Sequence, residues 1–216
     1  MHEKLGADIN NLLHLAGPPL GPPLQKLPRE IDWQADLQTA QLGHLLLRRN
    51  GFFVFESALH LFPLAATSAG YDLLSWNSME TWRLAYGDAV QDDLFFAEDI
   101  FGEQFAIRDG CIWRFNPETG ESEEVAATLE AWASQILADY AAETGYPLAH
   151  EWQTQHGPLP PDKRLVPITP FVMGGEFALT NLHALDAVAG MRFRADIARQ
   201  IRDLPDGSTV HLTVTE

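Results

Sequence analysis

The apolar positions of this chain change their spacing block by block, and each change marks an element. Leu42, Leu45, Leu46 and Arg49 recur at helical spacing, and Asn50-Gly51 then stops the helix. The aromatic-rich run at residues 52–55 predicts a strand, and residues 63–70 a loop. Met79, Trp82 and Tyr86 mark one face of a short helix expected to open near Asn77 and stop at Gly87. Residues 94–97 read as strand. Residues 103–115 read as a hairpin about Asp109-Gly110, a pair suited to a two-residue type I′ turn. That register sets Ile107 opposite Ile112 and Ala106 opposite Trp113. Both sheet faces then carry apolar residues, so helices should cover part of each. Asn116-Pro117-Glu118-Thr119-Gly120 is a second turn, leading into a strand at 123–126.

The clearest helix follows. Thr128 can cap it, Leu129, Trp132, Ala133, Ile136 and Tyr140 form its stripe, and Gly145 then Pro147 end it. A punctuated stretch at 156–161 precedes strands at 165–172 and 177–185, a helix at 192–203, a Pro205-Asp206-Gly207 turn and a strand at 209–214. Strands and helices come in blocks and not in βαβ alternation, which predicts an α+β fold. At the other end, Gly-Pro-Pro-Leu occurs twice over residues 17–24. Proline fixes φ and withholds a donor, so residues 1–29 are expected to form an extended arm along their own domain or a neighbouring copy. Residues 30–146 then form the core domain, and 147–216 an extension packed on it. An arm of this kind motivates the expectation of a homodimer.

Composition narrows the function classes. Thirty acidic residues face fourteen basic ones, a formal charge of −16, and a chain this acidic is repelled by nucleic-acid backbones and anionic membranes. The hydrophobic share of 46% supports a folded core. Apolar runs fall short of the roughly 20 residues of a membrane helix, and the start lacks a signal-peptide pattern. With one cysteine, Cys111, no intramolecular disulfide forms, so a cytoplasmic location is expected.

Candidate chemistry is thin. His150-Glu151 and His156 invite a zinc-protease reading, but that motif needs histidines four apart and these are six apart. Cys111 beside the hairpin turn reads as a packing residue. Gly174-Gly175-Glu176-Phe177 is similar to a cyclase signature loop, lacks its acidic residue, and reads as a tight turn. No phosphate-binding loop or Gly-x-Ser-x-Gly elbow occurs. Glu98, Asp99 and Glu103 cluster without the spacing of a calcium loop and are expected to form a solvated acidic edge. Trp76, Trp82, Trp113 and Trp132 are spaced for burial. No catalytic residue, metal ligand or cofactor is assigned.

One resemblance adds to this. Asn50-Gly51-Phe52, Trp76-Asn77 with Trp82, and the block Leu94-Phe95-Phe96-Ala97-Glu98-Asp99-Ile100-Phe101-Gly102-Glu103-Gln104-Phe105 come first. The hairpin, Pro117-Glu118-Thr119-Gly120-Glu121 and Leu129-Glu130-Ala131-Trp132 follow. Together they resemble the SUKH superfamily, the Smi/Knr-like family, over about half the chain. The resemblance implies a twisted, mostly antiparallel sheet packed against helices and no enzymatic activity. It also implies a protein-binding role, in bacterial members often immunity against a toxin, in fungal members an interaction hub.

Charge distribution fits a basic protein partner, because residues 88–143 hold fourteen acidic and two basic residues. The expected docking residues are Glu98, Asp99, Glu103, Glu121, Glu123 and Glu124. The expected function is an immunity-type binder of a basic toxin domain, with a housekeeping scaffold as the alternative. An enzyme is the third reading, which needs a buried carboxylate of raised pKa in a cleft. Arg192, Arg194, Arg199 and Arg202 on the last helix are expected to offset part of the acidic segment.

Overall fold

Asp109 and Gly110 both hold positive φ, 51° and 72°, and the hairpin they close has the register their composition demands. The computed structural model describes residues 5–65, 70–90, 93–202 and 204. In it, β4 (Gln104–Arg108) pairs antiparallel with β5 (Cys111–Asn116), placing Ile107 opposite Ile112 and Ala106 opposite Trp113. The full sheet adds β1 (Phe52–Val54), β2 (Leu59–Leu61), β3 (Leu94–Asp99) and β6 (Glu121–Ala126). Its six strands lie in chain order and are all antiparallel, so the fold is α+β as expected.

Both faces of this sheet are covered. Phe96 and Phe105 meet Trp132 edge-on at 5.1 and 5.4 Å, on α4 (Leu129–Ala138). Phe95 and Phe115 instead meet Trp82 at 5.0 and 6.1 Å. Trp76, Trp82 and Trp132 are buried, as their spacing predicts, whereas Trp113 is only partly buried. α2 (Leu37–Arg48) starts where Asp36 accepts from the Gln38 and Thr39 amides, and it buries Leu42, Leu45 and Leu46. Gly51 follows it at φ 66°, so close to Pro63 that a Cβ would lie 2.5 Å from the Pro63 nitrogen.

Four expectations change here. The segment 1–29 is not all extended arm: α1 (Ala7–Leu15) is a helix whose Ile9, Leu12 and Leu13 are buried in the main core. Its start carries no cap of its own; Glu130 on α4 accepts from the Asp8 and Ile9 amides at 2.7 and 3.2 Å. The Pro-rich stretch is extended but lies on its own domain, with Gly17 donating to the Phe53 carbonyl and Leu20 to that of Gly51. The arm therefore gives no reason to expect a homodimer.

Second, no helix opens at Asn77. α3 (Leu73–Trp76) lies before it, capped by Asp72 and Ser75, and single 3₁₀ turns occupy Arg83–Ala85 and Gly87–Val90. The Asn77 side chain is held by the Phe95 amide and carbonyl at 2.9 and 2.8 Å, so it clamps β3 instead of starting a helix. Third, Gly145 and Pro147 separate helices instead of ending the helical region. α4 is followed by α5 (Tyr140–Thr144) and α6 (Tyr146–His156), with proline in the first turn of α6, where its missing N–H costs nothing.

Fourth, the C-terminal strands are shorter than expected. β7 (Lys163–Pro167) pairs with β8 (Leu182–Asp186), joined by a loop, and α7 (Ala187–Ile201) follows. Met191, Ala195 and Ala198 of α7 belong to the main core, while Ile100, Trp152, Leu165 and Leu182 form a second cluster. The expected turn at Pro205 and the strand at 209–214 lie outside the described residues. Among the described residues no helix is long and apolar enough to cross a membrane.

Candidate functional site

β3 ends in two carboxylates that were expected on the surface and are not there. Glu98 is 2% exposed and Asp99 5%. Glu98 meets Arg164 of β7: Nη2 lies 2.5 Å from Glu98 Oε1 and 2.6 Å from His60 Nδ1 on β2. Gln104 donates to Glu98 Oε2 at 3.1 Å and in turn accepts from the Trp76 indole at 2.8 Å. Burial pushes the Glu98 carboxyl up, but Arg164, His60 and Gln104 together hold it below its ordinary value. Burial drives His60 down to about 4, so it stays neutral beside the Arg164–Glu98 pair. This network pins the small sheet to the large one and leaves Glu98 no free valence for a partner.

Asp99 shapes the turn after β3. Its Oδ1 accepts from the Phe101 and Glu103 amides at 2.9 and 2.8 Å, and Gly102 takes φ 81° to close the loop. Burial and the neighbouring Glu103 carboxylate raise the Asp99 pKa well above the usual range, although Arg114 opposes them. The expectation of a solvated edge missed the distant partners: Ile100 and Phe101, next to Asp99, pack with Trp152 of α6 and Leu165 of β7.

Beyond Asp99 the surface opens into a groove. Its deeper part is a cavity of about 310 Å³ lined by Asp99, Glu103, Asn116, Glu118 and Arg194, with Phe171 and Phe177 at one wall. A shallower hollow of about 350 Å³ continues past Glu103, Asn116 and Thr119 to Arg114, Glu121 and Glu123. Glu118 sits in the turn between β5 and β6, placed by the Asn116 side chain, which accepts from the Glu118 amide at 2.8 Å. Its Oε2 accepts from the Val172 amide at 2.8 Å. Burial raises Glu118 above its ordinary pKa, and Glu103 likewise, with Arg114 and Arg194 opposing the rise at Glu103. Arg114 pairs with Glu143 and lies 3.6 Å from Glu103 Oε2.

Of the six expected docking residues, Glu121, Glu123 and Glu124 are exposed on β6 and Glu103 is half-buried at the groove. Glu98 is removed from the docking face by the packing above it, whereas Asp99 is buried but still lines the floor of the groove. The four arginines of the last helix do not act together. Arg194 is buried at the groove, whereas Arg192 donates to the carbonyls of Thr81 and Glu80 and Arg199 pairs with Asp196. The residues missed from sequence are Glu118, Arg114 and the two phenylalanines; Arg194, expected to offset acidic charge, does line the acidic groove. Glu118 alone carried a signal, as an acidic residue inside a tight turn.

The histidines of the zinc-protease reading go elsewhere. His150 meets Glu56 at 2.7 Å and His156 meets the Trp152 carbonyl at 2.9 Å. Among the described residues no group of three or more His, Cys, Asp or Glu is placed to hold a metal ion. Partial desolvation and the Glu124 carboxylate push the Cys111 thiol up, which disfavours a thiolate nucleophile.

No family model matches the chain, and no curated protein matches it. Among solved structures, the chain is similar to Atu4351 from Agrobacterium tumefaciens, with a TM-score of 0.56 at 13% identity over 86% of this chain and 87% of that one. That likeness is one of fold.

Proposed function

We propose that this chain is a non-enzymatic protein-binding module that docks a basic protein domain, in an immunity setting a toxin, along β6 and the groove beside it. The observation that carries the reading is the disposition of charge. β6 is an edge strand, paired among the described residues with β5 alone, and its Glu121, Glu123 and Glu124 are exposed. The groove continuous with it presents Asp99, Glu103, Glu118, Glu121 and Glu123 against Arg114 and Arg194. Such a face raises the encounter rate with a basic partner and repels acidic ones. The SUKH resemblance of the β3 block supports the same reading, with a regulatory scaffold as its variant without a toxin.

The test is charge reversal at the edge, Glu121→Lys, Glu123→Lys and Glu124→Lys together, with association to the partner recovered by affinity capture. The variant should associate at least tenfold more slowly at low salt, and the difference should shrink as salt is added. Unchanged association rates would overturn the reading.

A second reading has its own observation. Asp99 and Glu118 are buried carboxylates of raised pKa facing a cleft, the condition for a general acid. It is the weaker one, because Asp99 Oδ1 is already held by two amides and, among the described residues, no nucleophile–base pair lines the cavity.

A further inference from the structure

The deep end of the groove is built for one kind of group. Glu118 is 4% exposed, and while its Oε2 accepts from Val172, its Oε1 is buried with no hydrogen-bond partner. The Phe171 amide also favours this carboxylate, but a buried acceptor left without a donor of its own is costly, about 1–3 kcal/mol, so an N–H or O–H brought in from outside would complete the site. Arg194 does not complete it: its guanidinium donates to the Phe101 and Gly190 carbonyls and the Met191 sulfur, and none of its N–H groups bonds to Glu118 Oε1.

The incoming donor should be a cation. Asp99, Glu103 and Glu118 face the cavity, with Arg194 as the single basic residue of its lining among the described residues. The aromatic wall adds to this. Phe171 and Phe177 stack at 3.9 Å and 7°, Phe101 meets both edge-on at 5.4 and 6.0 Å, and Phe177 stands 66% exposed at the rim. Carboxylates beside an accessible aromatic face suit a planar guanidinium, which forms paired hydrogen bonds and stacks, better than a compact ammonium. The volume, about 310 Å³, lies at the small end of ligand sites and takes one long side chain.

We propose that this cavity receives an arginine side chain of the basic partner, with the guanidinium at Glu118 and the methylenes along Phe171 and Phe177. This rests on the docking reading above and specifies its anchor. Binding places a positive charge among carboxyls whose burial favours their protonated forms, so it releases protons and strengthens as pH rises.

The test uses the full chain and a minimal probe, N-acetyl-argininamide, titrated by NMR and calorimetry against the neutral isostere N-acetyl-citrullinamide. The arginine probe should bind with a Kd on the order of 1 mM, shifting the Thr119 and Val172 amides, and the citrulline probe at least tenfold more weakly. Glu118→Gln should weaken the arginine probe at least tenfold. Phe177→Ala, at a position 66% exposed, should weaken it at least threefold. Equal binding of the two probes, binding unaffected by Phe177→Ala, or shifts confined to other surfaces would each overturn the proposal. The partner takes no part in this titration. A silent probe with a slowed edge variant removes the anchor and keeps the docking face; a bound probe with an unslowed edge variant does the reverse.

Discussion

Glu98 and Glu123 lie on two strands of one sheet, yet the sheet puts the same carboxylate to opposite uses. Glu98 lies on an inner strand beneath β7, where water is gone and its charge persists only because Arg164, His60 and Gln104 surround it. Glu123 lies on the edge strand, opposite Arg114 in register, with its side chain in solvent. The first fixes how two sheets meet, and nothing arriving from outside can reach it. The second contributes little to holding the fold and is free to set who approaches. An acidic run on paper is thus two different objects, divided by the strand position each residue occupies.

The sharpest way to break this comparison is to remove the inner charge. Glu98→Ala strands the Arg164 guanidinium in a dry site and should cost about 3–5 kcal/mol, a fall in the thermal midpoint of roughly 6–20 °C. A midpoint within a degree of the parent would mean that the inner pair is as dispensable as a surface one.

Acid should give the next largest effect. His60 is held near 4 in the folded chain against 6.5 unfolded, so the unfolded state binds the extra proton between those values. Stability from this group is complete above pH 6.5 and is lost as pH falls towards 4, by about 3 kcal/mol. Asp99, Glu103 and Glu118 act with the opposite sign, since their raised pKa values favour the protonated folded state. Denaturant unfolding of the parent and of His60→Asn at pH 7 and pH 4.5 separates the two. The variant should lose less stability than the parent over that interval, and an equal loss would remove His60 from the account.

The smallest effect belongs to the edge. Triple reversal of Glu121, Glu123 and Glu124 to Lys should move stability by no more than about 0.5 kcal/mol, read from the same unfolding curves. A larger fall would show that these side chains hold the strand, and would blur the division between inner and outer acids.

Local chemistry was legible in the sequence wherever a residue's neighbours in the chain decide its state. The Asp109-Gly110 hairpin, the Thr128 cap and the Leu42–Leu46 stripe are all of this kind. What was not legible depends on distant partners. The burial of Glu98 needs β7, more than sixty residues later, and α1 takes its N-terminal acceptor from Glu130. Pro147 misled because proline both ends and begins helices, and only the left-handed Gly145 before it decides which. The groove was invisible for the same reason: Glu118, Arg194 and Phe177 share it while lying on three separated segments.

The dependence of α1 on Glu130 also sets an order of events during synthesis. The sheet is a meander of neighbours, so each strand finds its partner as soon as it leaves the ribosome. The first helix has no such luck. Its two leading amides and its apolar face wait for α4, some 122 residues downstream. At about 5–20 residues per second that is a delay of roughly 6–24 s. This helix, made before the sheet, is thus seated only after the sheet's last strand has been made, and Ile9, Leu12 and Leu13 are the surface on which a chaperone would find it in the meantime.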